Sequence, residues 1–226
     1  MLVSTSKSRR FVVLVSGLAV IAIFFAAVFL YQRYVLRVVA LQANVQADAM
    51  VRPHSPVIGP DNARVTIVEF FDPACEACKS FHPYIKQTLS EFPQDVRLVI
   101  RYAPLHKELS VQAINVLEAA RAQGRFEVTL DALLEGQRAW ARQGANPVAR
   151  VWAIAQAAGL NIEQASIYVA SGAVNVVLAQ DVADMKAIGV RATPTFFVNG
   201  IPLQSADPNQ LHDLVKQEVG RSGRIQ

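Results

Sequence analysis

The two cysteines of this 226-residue chain stand together in the run Cys75-Glu76-Ala77-Cys78. Unrelated structural thiols would fall at that spacing on the order of 1% of the time, so the pair reads as one unit. A β-branched run ends just before Cys75 and a helical pattern begins at it. A thiol at a helix N-terminus lies beside backbone N–H groups without intrahelical partners and at the positive end of the helix dipole, and both favour its thiolate. Cys75 is therefore the expected attacking sulfur. Cys78, one turn on, is placed to resolve a mixed disulfide formed on Cys75. A structural zinc site takes four protein ligands, and no second cysteine pair or histidine cluster exists to complete one. A two-thiolate Cu(I) site is the remaining metal alternative. Redox exchange is the favoured chemistry, with no cofactor and no resident metal expected.

The elements that must position the pair follow from periodicity. Arg64 to Phe70 alternates and is β-branched, as a strand near the centre of a sheet does. The loop Phe71-Asp72-Pro73-Ala74 leads into a helix from Cys75 to about Glu91, and Asp95 to Tyr102 is a second strand, so a parallel β-α-β unit is expected. Residues 105 to 188 read as successive helices. Ser110 is the expected cap of the first, Gly124 interrupts, Glu127 to Arg142 continues, and Asn146-Pro147 and Asn161 with Gln164 open two more. Strand character returns at Thr195 to Val198, Asn199-Gly200 turns the chain into Ile201-Pro202-Leu203, and Asp207-Pro208 starts a last helix to about Val219. The Phe70-Phe71 and Phe196-Phe197 pairs are expected in the core, and Trp140 and Trp152 within the helical block.

Three runs, SPVIGPDNARVTIVEFFDPACEACKSFHPYIK, the helical block after APLH, and GVRATPTFFVNG, together resemble the DsbA-like branch of the thioredoxin superfamily over about residues 55–220. The ordered combination of CxxC after a strand and a late Thr-Pro is far more specific than CxxC alone. The resemblance implies an α/β thioredoxin-like fold with a helical insertion, about 105–188, between the β-α-β unit and the C-terminal hairpin and helix. It implies an exported thiol-disulfide oxidoreductase acting on protein thiols and disulfides. By the same resemblance Pro194 is the family's cis-proline, Thr193 offers its backbone to an extended substrate, Glu69 is the family's buried acid, and Pro83 kinks the first helix.

Glu69 also has a reading of its own. Alternation puts it on the face of Val65 and Ile67, so its carboxylate is expected to be desolvated, raised in pKa and able to exchange a proton with Cys78. Between the cysteines, Glu76 and Ala77 stand where the strong oxidases of the family carry Pro-His. A carboxylate there is expected to oppose Cys75 ionisation and make a weaker oxidant. His82, seven residues after Cys75, reads as a half-exposed histidine before a thiol-tuning one, and His106 as a loop residue before a catalyst.

Charge and hydropathy describe the N-terminus. The formal net charge is +4 from 22 basic and 18 acidic residues. Residues 1–37 hold five basic groups and no acid, so the rest carries 17 basic against 18 acidic groups. The excess surrounds one apolar segment and points to a membrane, with no nucleic-acid partner expected. Phe11 to Leu30 is uncharged and as a helix spans roughly 30 Å. We therefore expect a cytoplasmic N-terminus over 1–10, a transmembrane anchor over 11–31 in contact with lipid, a stalk or linker over 32–54 and the thioredoxin-like domain over 55–226. A cleaved signal peptide fits less well, because its core is shorter and ends at a small-x-small site. Val35, Val38, Gln42, Val45 and Ala49 keep a heptad-like spacing, which leaves a dimerising stalk open beside a plain spacer. The expected location is a bacterial-type inner membrane with the catalytic domain periplasmic, served by an unidentified redox partner for which the membrane is one candidate location. The alternatives outside redox enzymology are a membrane-tethered Cu(I)-binding dithiol module and a nonenzymatic chaperone or assembly factor on the same fold.

Overall fold

The computed structural model describes residues 24, 25, 27–34, 49–141 and 146–222. The chain divides into two units, Met1–Gln46 and Ala47–Gln226. Within the first, residues 27–34 are helical, with Phe29, Leu30, Tyr31 and Tyr34 exposed. Among the described residues no single helix is long and apolar enough to cross a membrane. Most of the expected anchor over 11–31, and the stalk from 35 to 48, lie outside the described residues.

The second unit is built on a five-stranded sheet in the order β1-β3-β2-β4-β5. Its strands are β1 (Val57–Ile58), β2 (Val65–Phe71), β3 (Val96–Tyr102), β4 (Thr195–Val198) and β5 (Ile201–Pro202). The β-branched run forms the central strand: β2 pairs parallel with β3, Glu69 facing Ile100, and antiparallel with β4, Glu69 facing Phe196. Between β2 and β3 runs α1 (Glu76–Glu91), the crossover expected of a parallel pair. Pro83 lies inside α1 and is exposed, so the ring displaces no core group while removing one helical N–H. The short edge strand β1 is an element that the proline-rich segment around it concealed. Gly59 follows it at φ 109°, where a Cβ would stand 2.9 Å from the Val96 carbonyl oxygen.

Among the described residues six helices lie between β3 and β4: α2 (Glu108–Ala122), α3 (Phe126–Glu135), α4 (Gln137–Ala141), α5 (Pro147–Ala157), α6 (Ile162–Ala170) and α7 (Ala173–Ile188). Asn146 and Asn161 cap α5 and α6, accepting from the N–H groups of Ala149 and Gln164. Ser110 is not a cap. The helix opens two residues earlier, after Lys107 in a positive-φ conformation, and the buried Ser110 hydroxyl accepts instead from the His106 N–H. The expected single helix over 127–142 breaks at Gly136, where a Cβ would meet Ile154 at 2.8 Å, so the small residue lets α5 close on the corner. Asn199 and Gly200, at φ 49° and 81°, turn β4 into β5, and α8 (Pro208–Ser222) closes the chain.

Period-two alternation sorts the sheet residues between two cores. Val65, Ile67 and Phe71 face a large cluster with α1, α8 and the helical block, which includes Phe81, Trp140 and Phe196. Trp152 packs on its margin. Val68, Phe70 and Phe197 face a smaller cluster with Val99, Met50, Met185 and Val190. On this second face Arg101 is fully buried and hydrogen-bonds Asp181, Asp184 and the Ala49 carbonyl. Arg52 pairs with Asp184 and His54 with Asp181, which fastens residues 49–54 to the back of the sheet.

Candidate functional site

Strand β2 ends at the same edge of the sheet as β3, and the chain leaving it carries the cysteines. Asp72 is fully buried and its carboxylate organises the turn. Oδ1 accepts from the Ala74 N–H at 2.9 Å, and Oδ2 accepts from the His106 N–H at 3.0 Å and stands 2.8 Å from His106 Nδ1. The Asp72 carbonyl accepts from the Cys75 N–H at 3.0 Å. From the helical block, buried Gln137 donates through Nε2 to the carbonyls of Pro73 and Cys75, at 2.8 and 2.9 Å. The loop between strand and helix is thus held from both sides.

Cys75 is the N-cap residue of α1, with extended backbone at φ −78° and ψ 122°. It is 8% exposed, Cys78 is 0% exposed, and both are free thiols. The Cys75 thiol is lowered from the ordinary 9.0 to about 5 by hydrogen bonds from the Cys78 thiol, the Thr193 side chain and the backbone N–H groups of Cys78 and Ala77, which outweigh partial burial. Burial pushes the Cys78 thiol far upward, helped by its hydrogen bond to Cys75 and by the charge of Glu69, while the Asp72 backbone N–H acts in the opposite sense by stabilising its thiolate. One thiol is ionised at neutral pH and its neighbour holds its proton.

Glu69 lies where alternation placed it, 2% exposed on the face of Val65 and Ile67. Desolvation, with a smaller contribution from the Cys75 charge, raises its carboxyl from 4.5 to about 8. Its Oε1 is buried without a hydrogen-bond partner.

The late Thr-Pro segment meets the cysteines from the far end of the chain. The Thr193–Pro194 peptide is cis, Pro194 is buried, and the Thr193 carbonyl oxygen lies 3.3 Å from Cys75 Sγ. Cys75, Cys78, Glu69, Thr193 and Pro194 therefore converge on one site. Glu76 does not join them. Its side chain is 66% exposed and its carboxylate stands 3.9 Å from Arg138, so water screens it and the expected rise of the Cys75 pKa is replaced by a fall. Ala77 is exposed, and only its backbone N–H bears on Cys75. His82 turns away from the thiols to bond Asp131 of α3 at 2.7 Å, beside Lys86.

Sequence reasoning missed Asp72 and Gln137. Asp72 carried a usable signal, a short polar acid between a strand end and a helix start, where a carboxylate commonly binds free N–H groups. Gln137 carried none, because only the packing of α4 on the loop brings it within reach.

A family model described as thioredoxin matches residues 52–217. Among solved structures, a thioredoxin-like oxidoreductase from Silicibacter pomeroyi DSS-3 superposes with a TM-score of 0.67 at 30% identity, covering 78% of this chain and 97% of its own. The thiol-disulfide exchange protein α-DsbA2 from Wolbachia pipientis, at 18% identity and a TM-score of 0.65 over 79% of this chain and 97% of its own, shares the fold. A curated relative, the Na(+)/H(+) antiporter NhaA of Herminiimonas arsenicoxydans, is 32% identical over 168 residues, which are 74% of this chain and 26% of the antiporter. The chain thus spans about a quarter of that relative's length. With the strand order, the CxxC at the head of α1 and the match over 52–217 in agreement, the chain belongs to the thioredoxin family.

Proposed function

We propose that the chain is an exported, membrane-anchored thiol-disulfide oxidoreductase that exchanges disulfides with protein substrates through Cys75 and Cys78. The observation that carries the reading is the split between the two thiols, Cys75 held at about 5 at the mouth of the site and Cys78 buried and pushed upward behind it. The Cys75 thiolate attacks a substrate disulfide, forming a Cys75–substrate bond and releasing one substrate thiolate. Cys78 then loses its proton to the ionised form of Glu69, a minority at neutral pH for a carboxyl at about 8, and attacks Cys75 Sγ. The Cys75–Cys78 disulfide forms, the second substrate thiolate leaves, and two protein thiols have been oxidised while one substrate disulfide is reduced. The same path in reverse donates a disulfide. Thr193, beside Cys75, is placed to pair its backbone with an extended segment of the substrate.

The direction follows from the thiolate. A lower nucleophile pKa stabilises the reduced form and makes the disulfide more oxidising. A value of about 5 lies between thioredoxin, about 7, and DsbA, about 3.5. We therefore place the reduction potential between about −270 and −120 mV, on the oxidising side of thioredoxin. The anchor over residues 11–31 keeps the domain at a periplasmic membrane face, near a redox partner that resets the cysteines. The test is equilibration of the detergent-solubilised full chain with glutathione redox buffers, followed by thiol trapping. A potential inside that interval supports the reading, and a Cys75-Cys78 pair that never exchanges with glutathione refutes it.

A further inference from the structure

Strands β3 and β4 flank β2, so the chain that leaves β2 with Cys75 has a neighbour on each side. On the β4 side the neighbour is Thr193, whose carbonyl oxygen lies 3.3 Å from Cys75 Sγ. On the β3 side it is the loop of residues 103–107, which leaves the sheet where the Ala103 N–H donates to the Phe71 carbonyl at 2.9 Å. Asp72 joins this loop to the nucleophile. Its carbonyl accepts from the Cys75 N–H at 3.0 Å, and its carboxylate Oδ2 accepts from the His106 N–H, also at 3.0 Å. Loop and cysteine are thus tied to two groups of one fully buried residue.

The loop is also fixed from within. The Leu105 N–H donates to the Ala103 carbonyl at 2.7 Å, the Lys107 N–H to the Pro104 carbonyl at 3.3 Å, and the His106 ring Nδ1 to Asp72 at 2.8 Å. Two side chains are left facing solvent. Leu105 is 40% exposed, and the exposed Lys107 ammonium makes no hydrogen bond or ion pair among the described residues. The acid next to it in sequence, Glu108, accepts from Gln112 at 2.5 Å. Lys107 holds φ 56° and ψ −132°, a conformation that glycine takes freely and that a residue with a Cβ holds at a cost. Strain of this kind persists where the surrounding bonds over-determine it, and it concentrates at ligand clamps. Here it keeps a lysine at a backbone position made for glycine, beside the turn that bears the nucleophile.

We propose that Leu105 and Lys107 form a recognition rim for the substrate polypeptide, Leu105 taking an apolar side chain and Lys107 a carboxylate close in sequence to the reacting cysteine of the substrate. An extended segment paired with Thr193 on the β4 side meets this rim where it crosses Cys75 to the β3 side. The leucine contributes by removing apolar surface from water, and the lysine by attraction at an exposed position. Because the loop is already fixed, little ordering is paid on binding. The assignment deepens the reading of Cys75 and Cys78 as an exchanging pair and rests on it.

The experiment follows the first step alone, in which the Cys75 thiolate attacks one sulfur of a disulfide, the S–S bond breaks, a Cys75–substrate bond forms and the other half leaves as a thiolate. The reduced, detergent-solubilised full chain is mixed with disulfide-linked dimers of the peptide acetyl-Glu-Leu-Cys-Leu-Glu-amide, and of its Lys-Leu-Cys-Leu-Lys and Glu-Gly-Cys-Gly-Glu counterparts. Acid quenching and mass spectrometry give the rate at which reduced protein is lost. Each peptide rate is divided by the same protein's rate with hydroxyethyl disulfide, an uncharged probe without side chains, so that changes in Cys75 itself cancel. Wild type is expected to prefer the acidic leucine peptide over the basic one about three- to fivefold, the range of an exposed ion pair. Lys107→Glu is expected to reverse that preference, and Lys107→Gly, which suits the backbone, to remove most of it. Leu105→Ser is expected to lower the leucine-to-glycine ratio about fivefold. An acidic-to-basic ratio that stays the same in both Lys107 variants, or a leucine-to-glycine ratio that stays the same in Leu105→Ser, would overturn the assignment. A wild-type chain that reacts with hydroxyethyl disulfide and shows no preference among the peptides overturns it too, while the exchange reading stands. A chain that reacts with no disulfide at all removes both.

Discussion

Cys75 Sγ lies 3.3 Å from the carbonyl oxygen of Thr193, a residue 118 positions away in the chain. The contact exists only while the thiol carries its proton to donate. Ionisation of Cys75 removes that donor and leaves the Thr193 carbonyl without it.

The Cys75 thiol should titrate with a midpoint near 5 when followed by thiolate absorbance at 240 nm. Because this group is depressed in the folded state, it stabilises the reduced protein above the ordinary thiol range near 9 and loses that contribution as pH falls through about 5. The thermal midpoint of the reduced form should therefore exceed that of the oxidised form at pH 8, and the gap should shrink steadily towards pH 5.

Glu69→Gln tests the buried acid from the opposite sign. A carboxyl raised from 4.5 to about 8 favours the fold only while protonated, so it costs stability progressively between those values. The variant should be more stable than wild type at pH 7 by on the order of 3 kcal/mol in urea unfolding, with no advantage at pH 4. It should also resolve mixed disulfides about ten- to a hundredfold more slowly, since no group of matching pKa takes the Cys78 proton.

Glu76→Gln should barely move the site. The carboxylate is 66% exposed and already near Arg138, so the Cys75 titration midpoint should shift by less than about half a unit. A shift of a full unit or more in that titration would restore the first expectation, that this residue sets the potential.

Gln137→Leu keeps the packing volume and removes both donors, leaving the Pro73 and Cys75 carbonyls without the Gln137 N–H bonds. The expected cost is about 2–4 kcal/mol in chemical denaturation. Cys75 should also react less evenly with iodoacetamide across pH, as the N-cap loses its fixed orientation.

Arg101→Met leaves Asp181 and Asp184 inside the fold without their central cation. The loss should be about 3–5 kcal/mol in denaturant midpoint experiments. Arg52 and Arg101 hold Asp184 down from 3.8 to about 2, although partial burial opposes them, so the wild-type contribution is present above pH 4 and disappears as pH falls through about 2.

Local pattern was enough for the cysteine pair at the helix start, the central strand and the parallel crossover. These depend on nearest-neighbour spacing, and alternation through Val65, Ile67 and Glu69 even assigned the acid to the correct face. Asparagine caps and the Asn199-Gly200 turn were equally legible, because their hydrogen bonds close within four residues. The two-residue strand β1 was not, since its only pattern is the partner it pairs with, Leu98 and Val99.

What decided the electrostatics was distance in space. A glutamate adjacent to Cys75 in sequence points outward to Arg138 and hardly acts on it, while the side chain of Thr193, far along the chain, helps to stabilise its thiolate. Asp72, His106 and Gln137 come from a loop, a second loop and a helix of the insertion, and meet only when α2 and α4 pack against the end of the sheet. Sequence alone determined which atoms are available to react and the periodic elements that carry them. Tertiary packing determined their charge states, because a pKa responds to burial and to donors within a few ångströms, and neither is a property of position along the chain.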